Sequence, residues 1–419
     1  MSKVKYLIVG GGVSGLAFAN FVKSDDYLIL EKENELGGFC RTIYQDGFVW
    51  DFAGHFFHFA TDTLKDFFKK KIDPSELVER TKETKVFFDD AFVDFPFQSN
   101  IHQLSKDKFQ ECLYDLYFRE DKAVYTSFLD MLYAKFGKSI TEYFLKPYNE
   151  KLYACDLNEL DVDAMGRFFP YANLEQVIRS FKKQSVASYN SSFLYPKKGA
   201  KVFVDALASE IPKDNIALNE FVVSIDLNEK VAKTNHREIK FEQLINSSPL
   251  NSFMKLVSDP VIQSNAKALS YNKVLVFNLG FNKKSDIKDT HWLYFPQEDI
   301  NFYRIGFYDN ILKSDRLSLY VEIGYQPEDE VNIEEQLTLT LDSLKKTNVI
   351  TDHELVSYCS IIMDPAYVHV SEESNDIKKI TFNELSKHDI YSIGRYGDWK
   401  YCSIEDSMVD AIELAEKIS

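Results

Sequence analysis

Hydrophobic positions along this chain change period from block to block, and the blocks predict an order of strands and helices. Residues 6–9 and 27–30 are short unbroken apolar runs, the pattern of strands covered on both faces. Between them lie a glycine-rich turn and an apolar stretch long enough for a helix. Residues 62–82 and 103–190 set apolar positions three and four apart among charged ones, which predicts mainly helical structure. "KVFFDDAFVDFPF", residues 85–97, predicts a hairpin turning at Asp89 and Asp90. "LNEFVVSIDLNEKVAKTNHREIKFEQLINSSP" predicts strands that return to the first pair. Period-two alternation in "NKVLVFNLGF", "HWLYFP", "FYRIGFYD" and "RLSLYVEIGY" predicts an antiparallel sheet, with "NIEEQLTLTLDSLKKTN" as a covering helix. The final segment reads as strand, loop and helix. Ser403 and Asp406 start that helix as a capping box, and Ile404, Met408, Ala411, Ala415 and Ile418 form its buried face.

The first strand runs into Gly10, Gly12 and Gly15, the spacing G-x-G-x-x-G. The first glycine permits a tight turn, the second lets backbone approach a pyrophosphate, and the third lets helix pack on strand. A pyrophosphate would rest on the helix N-terminus, where unpaired N–H groups favour an anion. The second strand ends in Glu31, a carboxylate placed to accept hydrogen bonds from ribose hydroxyls. Strand, turn, helix, strand and acid together define a dinucleotide site. Gly37, Gly38 and Arg41 follow at once and match the GG-x-x-R extension of large flavoproteins, which favours FAD over NAD.

The fold class is therefore α/β. A Rossmann-like FAD-binding domain is assembled from residues 1–60, 195–255 and 376–419. A mainly helical region, 61–194, and an antiparallel sheet region, 256–375, are inserted into it, leaving a cleft between cofactor and substrate parts.

Composition narrows the function. A chain of 419 residues needs more than one ordinary core, and its 34 Phe and 24 Tyr can line clefts as well as fill interiors. The net charge of −16 repels nucleic acid and anionic lipid, so neither is an expected partner. Any phosphorylated substrate needs a local cation to offset that field. Five scattered cysteines form no CxxC pair, which points away from zinc and disulfides and toward reduced thiols in the cytoplasm. No apolar run approaches the length of a membrane span, so membrane insertion is not expected. "WDFAGHFFHF", residues 50–59, crowds five rings around Gly54, His55 and His58, and reads either as a buried strand end or as a wall against a ligand.

Five further stretches, in order, carry a family likeness: "GGFCRTIYQDGFVWDFAGHFF", "VDFPFQSNI", "FLKPYNEKLYA", "WLYFPQEDINFYR" and "GRYGDWKY". In these the chain resembles the UDP-galactopyranose mutases, the eukaryotic branch more than the bacterial one. The resemblance implies a redox-neutral isomerase of cell-surface polysaccharide biosynthesis. Such an enzyme interconverts pyranose and furanose forms of a nucleotide-diphosphate sugar, UDP-galactopyranose or a related UDP- or dTDP-sugar. Reduced FAD supplies the nucleophile through N5, and the protein holds the anomeric carbon and stabilises the departing diphosphate. NAD(P)H or another electron donor, and a second copy of the chain, are admitted as further partners.

The resemblance also assigns residues. Cofactor contacts fall on Gly10, Gly12, Val13, Ser14, Gly15, Glu31, Lys32, Gly38, Phe39, Arg41, Gly54, His55, Val222, Gly394, Arg395, Asp406, Ser407 and Met408. His55 is placed against the flavin near N5, tuning or sensing its reduction, and Ala53 stands where the family has a glycine. His58 falls out of register with the family's next histidine. Arg304 is the diphosphate cation, with Tyr294, Tyr367 and Tyr401 as phosphate-binding phenols. Phe95, Phe97 and Gln98 recognise the base, and Asn149 and Tyr153 lie near the nucleotide. Phe168 stands in register with a second diphosphate arginine, so either Arg167 one place earlier takes that role or Arg304 acts alone. Glu405 stands where the family has an asparagine that approaches substrate hydroxyls, which widens the range of sugars to other hexoses, 6-deoxyhexoses and pentoses. The competing readings are a true FAD-dependent oxidase or desaturase, of the amine-oxidase or protoporphyrinogen-oxidase type, and a flavin-binding scaffold without activity.

Overall fold

The computed structural model describes residues 2–120, 122–182 and 192–419. Its first sheet has seven strands. Ser2–Val9 lies between Glu238–Asn246 and Tyr27–Glu31 and pairs with both in parallel, and Ile216–Leu218 extends the sheet beyond Tyr27–Glu31. Val222–Asp226 and Val231–Thr234 add an antiparallel hairpin on the far side, while Ile390–Ser392 pairs with the end of Glu238–Asn246. The unbroken apolar runs are explained by cover on both faces. Tyr6 and Ile8 pack under the helices Val13–Phe21 and Ile404–Ile418, whereas Leu7 and Val9 pack toward Leu250, Phe253 and Trp399. Met408, Ala411 and Ala415 are fully buried in the last helix, with Ile404 and Ile418 at its rim, and both halves of its capping box are formed.

The second sheet runs in the order Leu355–Val368, Tyr271–Phe281, Ser318–Tyr325, Arg304–Phe307, Trp292–Tyr294, Thr84–Phe88, Ala91–Asp94. Its last two strands are the anticipated hairpin, with Asp89 and Asp90 both left-handed at the turn. They come from the segment expected to be mainly helical, and they join the sheet through one parallel pairing, Thr84–Phe88 with Trp292–Tyr294. The stretch 62–82, read as mainly helical, is helical over its first half. The helix spans Asp62–Lys71, because Asp73-Pro74 cannot continue it, and Leu77–Thr81 pairs instead with Ser192–Pro196. Residues 183–190 of the expected helical stretch lie outside the described residues.

Alternation splits the second sheet into two unlike faces. Leu293, Ile305, Val321 and Phe277 lie in register on one face, in a core that also includes Leu344 of the helix Ile333–Lys346. The opposite face carries Tyr294, Arg304 and Glu322 in one cross-strand row, and Trp292, Gly306, Tyr320 and Asn278 in the next. The short helix Lys146–Tyr153 lies against this face: Tyr148 meets Tyr294 edge-on, and a Cβ on Gly324 would strike the Lys151 carbonyl oxygen at 2.3 Å. No helix among the described residues is long and apolar enough to cross a membrane.

Candidate active site

The glycine turn has the geometry its spacing predicts. Gly10 sits at φ +105°, and its N–H donates to the Leu30 carbonyl at 2.9 Å. A Cβ on Gly15 would come within 2.1 Å of the Gly10 carbonyl oxygen, so only glycine lets the helix approach the turn. A Cβ on Gly12 would meet nothing within 4 Å, and Gly12 begins the helix Val13–Phe21 without a side-chain cap. The first-turn N–H groups around Val13 and Ser14 therefore face an open side, a fit for a pyrophosphate. Glu31 is buried, and its carboxylate accepts from the Gly11 N–H at 2.8 Å and the Glu33 N–H at 2.9 Å, which fixes it beside the turn. Lys32 is largely exposed, its ammonium 3.9 Å from Glu33. Val222 is buried two residues beyond Glu220, whose N–H donates to the Glu31 carbonyl.

The second glycine pair closes over the first. Gly37 donates to the Gly11 carbonyl at 2.9 Å, and Gly38, at φ +56°, lies against Gly12. Arg41 donates to the Gly38 carbonyl at 2.8 Å and rests over the Phe52 ring, while Phe39 meets Tyr396 edge-on. On the other side, a Cβ on Gly394 would strike the Ser14 hydroxyl at 2.1 Å and reach Ser407 at 3.8 Å. The first helix, the turn at Gly394 and the start of the last helix thus converge on one end of the cradle.

Arg395 and His55 stand at that end. Arg395 lies over the rings of Tyr367 and Tyr401, donates to the Cys402 carbonyl at 3.2 Å, and has a buried Nε without a hydrogen-bond partner. No carboxylate pairs with it among the described residues. His55 has a buried Nδ1 that meets no hydrogen-bond geometry. Its pKa is pushed down to about 4, chiefly by burial, against a weaker opposing pull from the Ala53 carbonyl and with the fields of Arg395 and Arg304 adding to the fall. His55 is therefore neutral at pH 7. Gly54 is required beside it, because a Cβ there would lie 2.3 Å from the Tyr320 hydroxyl. His58 serves the fold: its Nδ1 donates to the Ser192 carbonyl at 2.6 Å. The rings of residues 50–59 divide likewise, with Trp50 and Phe57 buried in cores and Phe52 under Arg41.

Arg304 occupies the middle of the polar sheet face, opposite Tyr294 on one strand and Glu322 on the other. Its Nε donates to one Glu322 oxygen, and its Nη2 donates to the other at 2.8 Å and to the Tyr367 hydroxyl at 3.3 Å. The guanidinium is thus held in a partly buried, two-point ion pair and is neither a surface pair nor a free cation. Tyr294 meets Phe95 and Tyr148 edge-on, each at 5.0 Å, and Tyr367 stacks parallel to Tyr401 at 6.0 Å. Burial holds the Tyr148 and Tyr294 phenols above their ordinary pKa, so they stay protonated as donors.

The remaining assigned residues separate. Tyr153 is fully buried with an unpartnered hydroxyl and meets Tyr367 edge-on. Asn149 donates to the Leu145 carbonyl, leaving its Oδ1 unpartnered, and Gln98 donates to the Pro170 carbonyl, leaving its Oε1 unpartnered. Phe97 is fully buried and stacked on Phe144 in the helical core, so Phe95 is the ring of that motif beside Tyr294.

Arg167 pairs with Asp406 at the start of the last helix, and Phe168 packs on Tyr401. Glu405 corrects an expectation. Its carboxylate accepts from the Ala60 and Thr61 N–H groups and the Thr61 hydroxyl, all within 3.0 Å, so it caps the helix Asp62–Lys71 and does not face a sugar. A buried carboxylate needs such donors, and a helix start supplies them. Sequence reasoning missed Glu322, Tyr148 and Lys82. Glu322 was visible as the one acid inside an apolar strand, and Tyr148 lay within a quoted motif.

The open pyrophosphate cradle, the fixed ribose acid, and the unpartnered His55 Nδ1 and Arg395 Nε fit a flavin dinucleotide. The class defined is a flavoprotein with two arginines and several phenols packed beside its dinucleotide cradle. The family model of flavin containing amine oxidoreductases matches residues 13–303, and the chain belongs to that family. The corticosteroid-binding protein of Candida albicans (strain SC5314 / ATCC MYA-2876) is 27% identical over 247 residues, spanning 54% of this chain and 47% of that protein. The match thus spans about half the length of that relative. Among solved structures, a reduced UDP-galactopyranose mutase superposes with a TM-score of 0.93 at 21% identity, covering 100% of this chain and 94% of the other. A putative protoporphyrinogen oxidase from Exiguobacterium sp. 255-15 superposes at 0.78 with 17% identity, covering 100% and 99%. At these identities both are likenesses of fold.

Proposed function

We propose that the protein is a cytoplasmic, FAD-dependent mutase that interconverts the pyranose and furanose forms of a nucleotide-diphosphate sugar. UDP-galactopyranose or a related UDP- or dTDP-sugar is its substrate. One observation carries the reading: Arg304, Tyr294 and Tyr367 of the second sheet meet Arg395 and Tyr401 of the segment before the last helix, through Tyr367, beside the cofactor cradle. Such a wall suits a diphosphate and would be an expensive way to line a pocket for a hydrophobic amine or a porphyrin. The likeness of fold to a reduced UDP-galactopyranose mutase agrees with it.

When bound and reduced, the flavin supplies the nucleophile for the anomeric carbon. The chain's own task is to bind, orient and neutralise. Glu322 holds the Nε edge of Arg304, which leaves the Nη1 edge for a phosphate oxygen. Charge developing on the departing diphosphate is met there without reorganisation, because the ion pair is already rigid. Neutral His55 borders the reacting end without adding a cation of its own, which keeps the diphosphate on the arginine and tyrosine side.

The test is direct. Purified yellow protein is incubated with dithionite and a panel of UDP-, dTDP- and GDP-pyranoses, and furanose product is sought. Furanose formed only by reduced enzyme, without oxygen consumption, supports the mutase. Turnover by the oxidised enzyme with stoichiometric peroxide would sink it in favour of the oxidase.

A further inference from the structure

Arg304 and Glu322 cancel each other's charge, so their pair alone offers a diphosphate no net attraction at long range. The positive field of the cleft must come from cations without carboxylate partners. Arg395 is one. Lys82 is another: it lies two residues before Thr84, which pairs with Trp292, and so continues the polar face of the second sheet. Its ammonium rests 5.7 Å from the Phe95 ring centre and 5.6 Å from that of Trp292, and no carboxylate reaches it among the described residues. Phe95 packs on Tyr294, and Tyr294 stands opposite Arg304, so Lys82 flanks the row from the side away from Glu322.

Resting on the mutase reading, we propose that Lys82 is the second cation that contacts the diphosphate of the substrate. Arg167 is held by Asp406 at the start of the last helix. A partly buried ammonium that rests on two aromatic rings and meets no carboxylate among the described residues has lost water without gaining a counterion, a cost that an arriving anion offsets. Burial and the field of Arg304 push its pKa down to about 8, consistent with a cation lacking its counter-charge.

The test uses the flavin-loaded protein, with UDP, dTDP and uridine as probes and calorimetry as the readout. Charge-assisted hydrogen bonds of this kind correspond to a loss of roughly ten- to a hundredfold in affinity. Lys82→Met should weaken UDP by that factor and leave uridine unchanged, while Lys82→Arg stays within about threefold of the parent. Equal flavin content in all three proteins shows that the cradle is intact. UDP binding to Lys82→Met at parental affinity overturns the assignment and leaves the mutase reading standing. A parent protein that binds neither UDP nor dTDP overturns both.

Discussion

Arg304 and Glu322 face each other across adjacent strands, and the carboxylate, only 3% exposed, grips the guanidinium at two points. Removing one partner strands the other. Arg304→Ala should therefore lower the unfolding free energy by about 3–5 kcal/mol as well as abolish turnover. The double variant Arg304→Met, Glu322→Leu should recover most of that stability and none of the activity. Urea denaturation followed in parallel with furanose formation checks both, and recovery of activity in the double variant would show that the pair serves only the fold.

Much of this architecture was legible because the signals were local. The glycine turn, the Asp89-Asp90 hairpin and the Ser403 capping box each depend on neighbours within a few residues, and each formed as read. What could not be read was long-range. Register with a family asparagine put Glu405 near the sugar end of the site, but the chain brings the start of Asp62–Lys71 to it from some 345 positions away. The Glu322 grip on Arg304 arises from cross-strand register, which no single segment encodes. The hairpin read over residues 85–97 formed as Thr84–Phe88 and Ala91–Asp94, yet its attachment to Trp292–Tyr294 needed the whole sheet.

His55 should stay neutral across the working pH range. Its folded pKa, about 4, lies below the usual histidine value, so its contribution to stability is full above about 6.5 and is lost as pH falls toward 4. His55→Gln should flatten the dependence of stability on pH within that window, measured by denaturation at several pH values. An NMR titration of the His55 imidazole with a midpoint near 6.5 would contradict the burial argument.

Lys151 reaches from the helix Lys146–Tyr153 into the loop that joins Tyr294 to Arg304. Its ammonium, with three N–H groups to donate, is shared among the carbonyls of Phe295 at 3.0 Å, Gln297 at 2.9 Å, Ile300 at 2.8 Å and Phe302 at 2.6 Å. Lys151→Met leaves those acceptors without their donor and should cost about 2–4 kcal/mol. Because the loop sets the spacing of Tyr294 and Arg304, amide exchange should rise over residues 295–303 and UDP affinity should fall, with flavin content unchanged. Arginine should restore little, since a planar fork cannot reproduce the tetrahedral reach of an ammonium.

Gly12 and Gly15 make opposite predictions from the same motif. A Cβ at position 12 enters open space, so Gly12→Ala should fold with parental stability in the absence of flavin. The same methyl stands where the pyrophosphate must approach the helix N-terminus, so flavin content on purification should drop by an order of magnitude or more. A Cβ at position 15 instead collides with the Gly10 carbonyl oxygen at 2.1 Å, and backbone cannot yield as a side-chain tip can. Gly15→Ala should destabilise the flavin-free protein itself, by roughly 1–3 kcal/mol for an overpacked contact. Thermal melts of the flavin-stripped variants separate the two effects. If Gly12→Ala melts early, or Gly15→Ala melts with the parent, the division of labour within the turn is other than its geometry indicates.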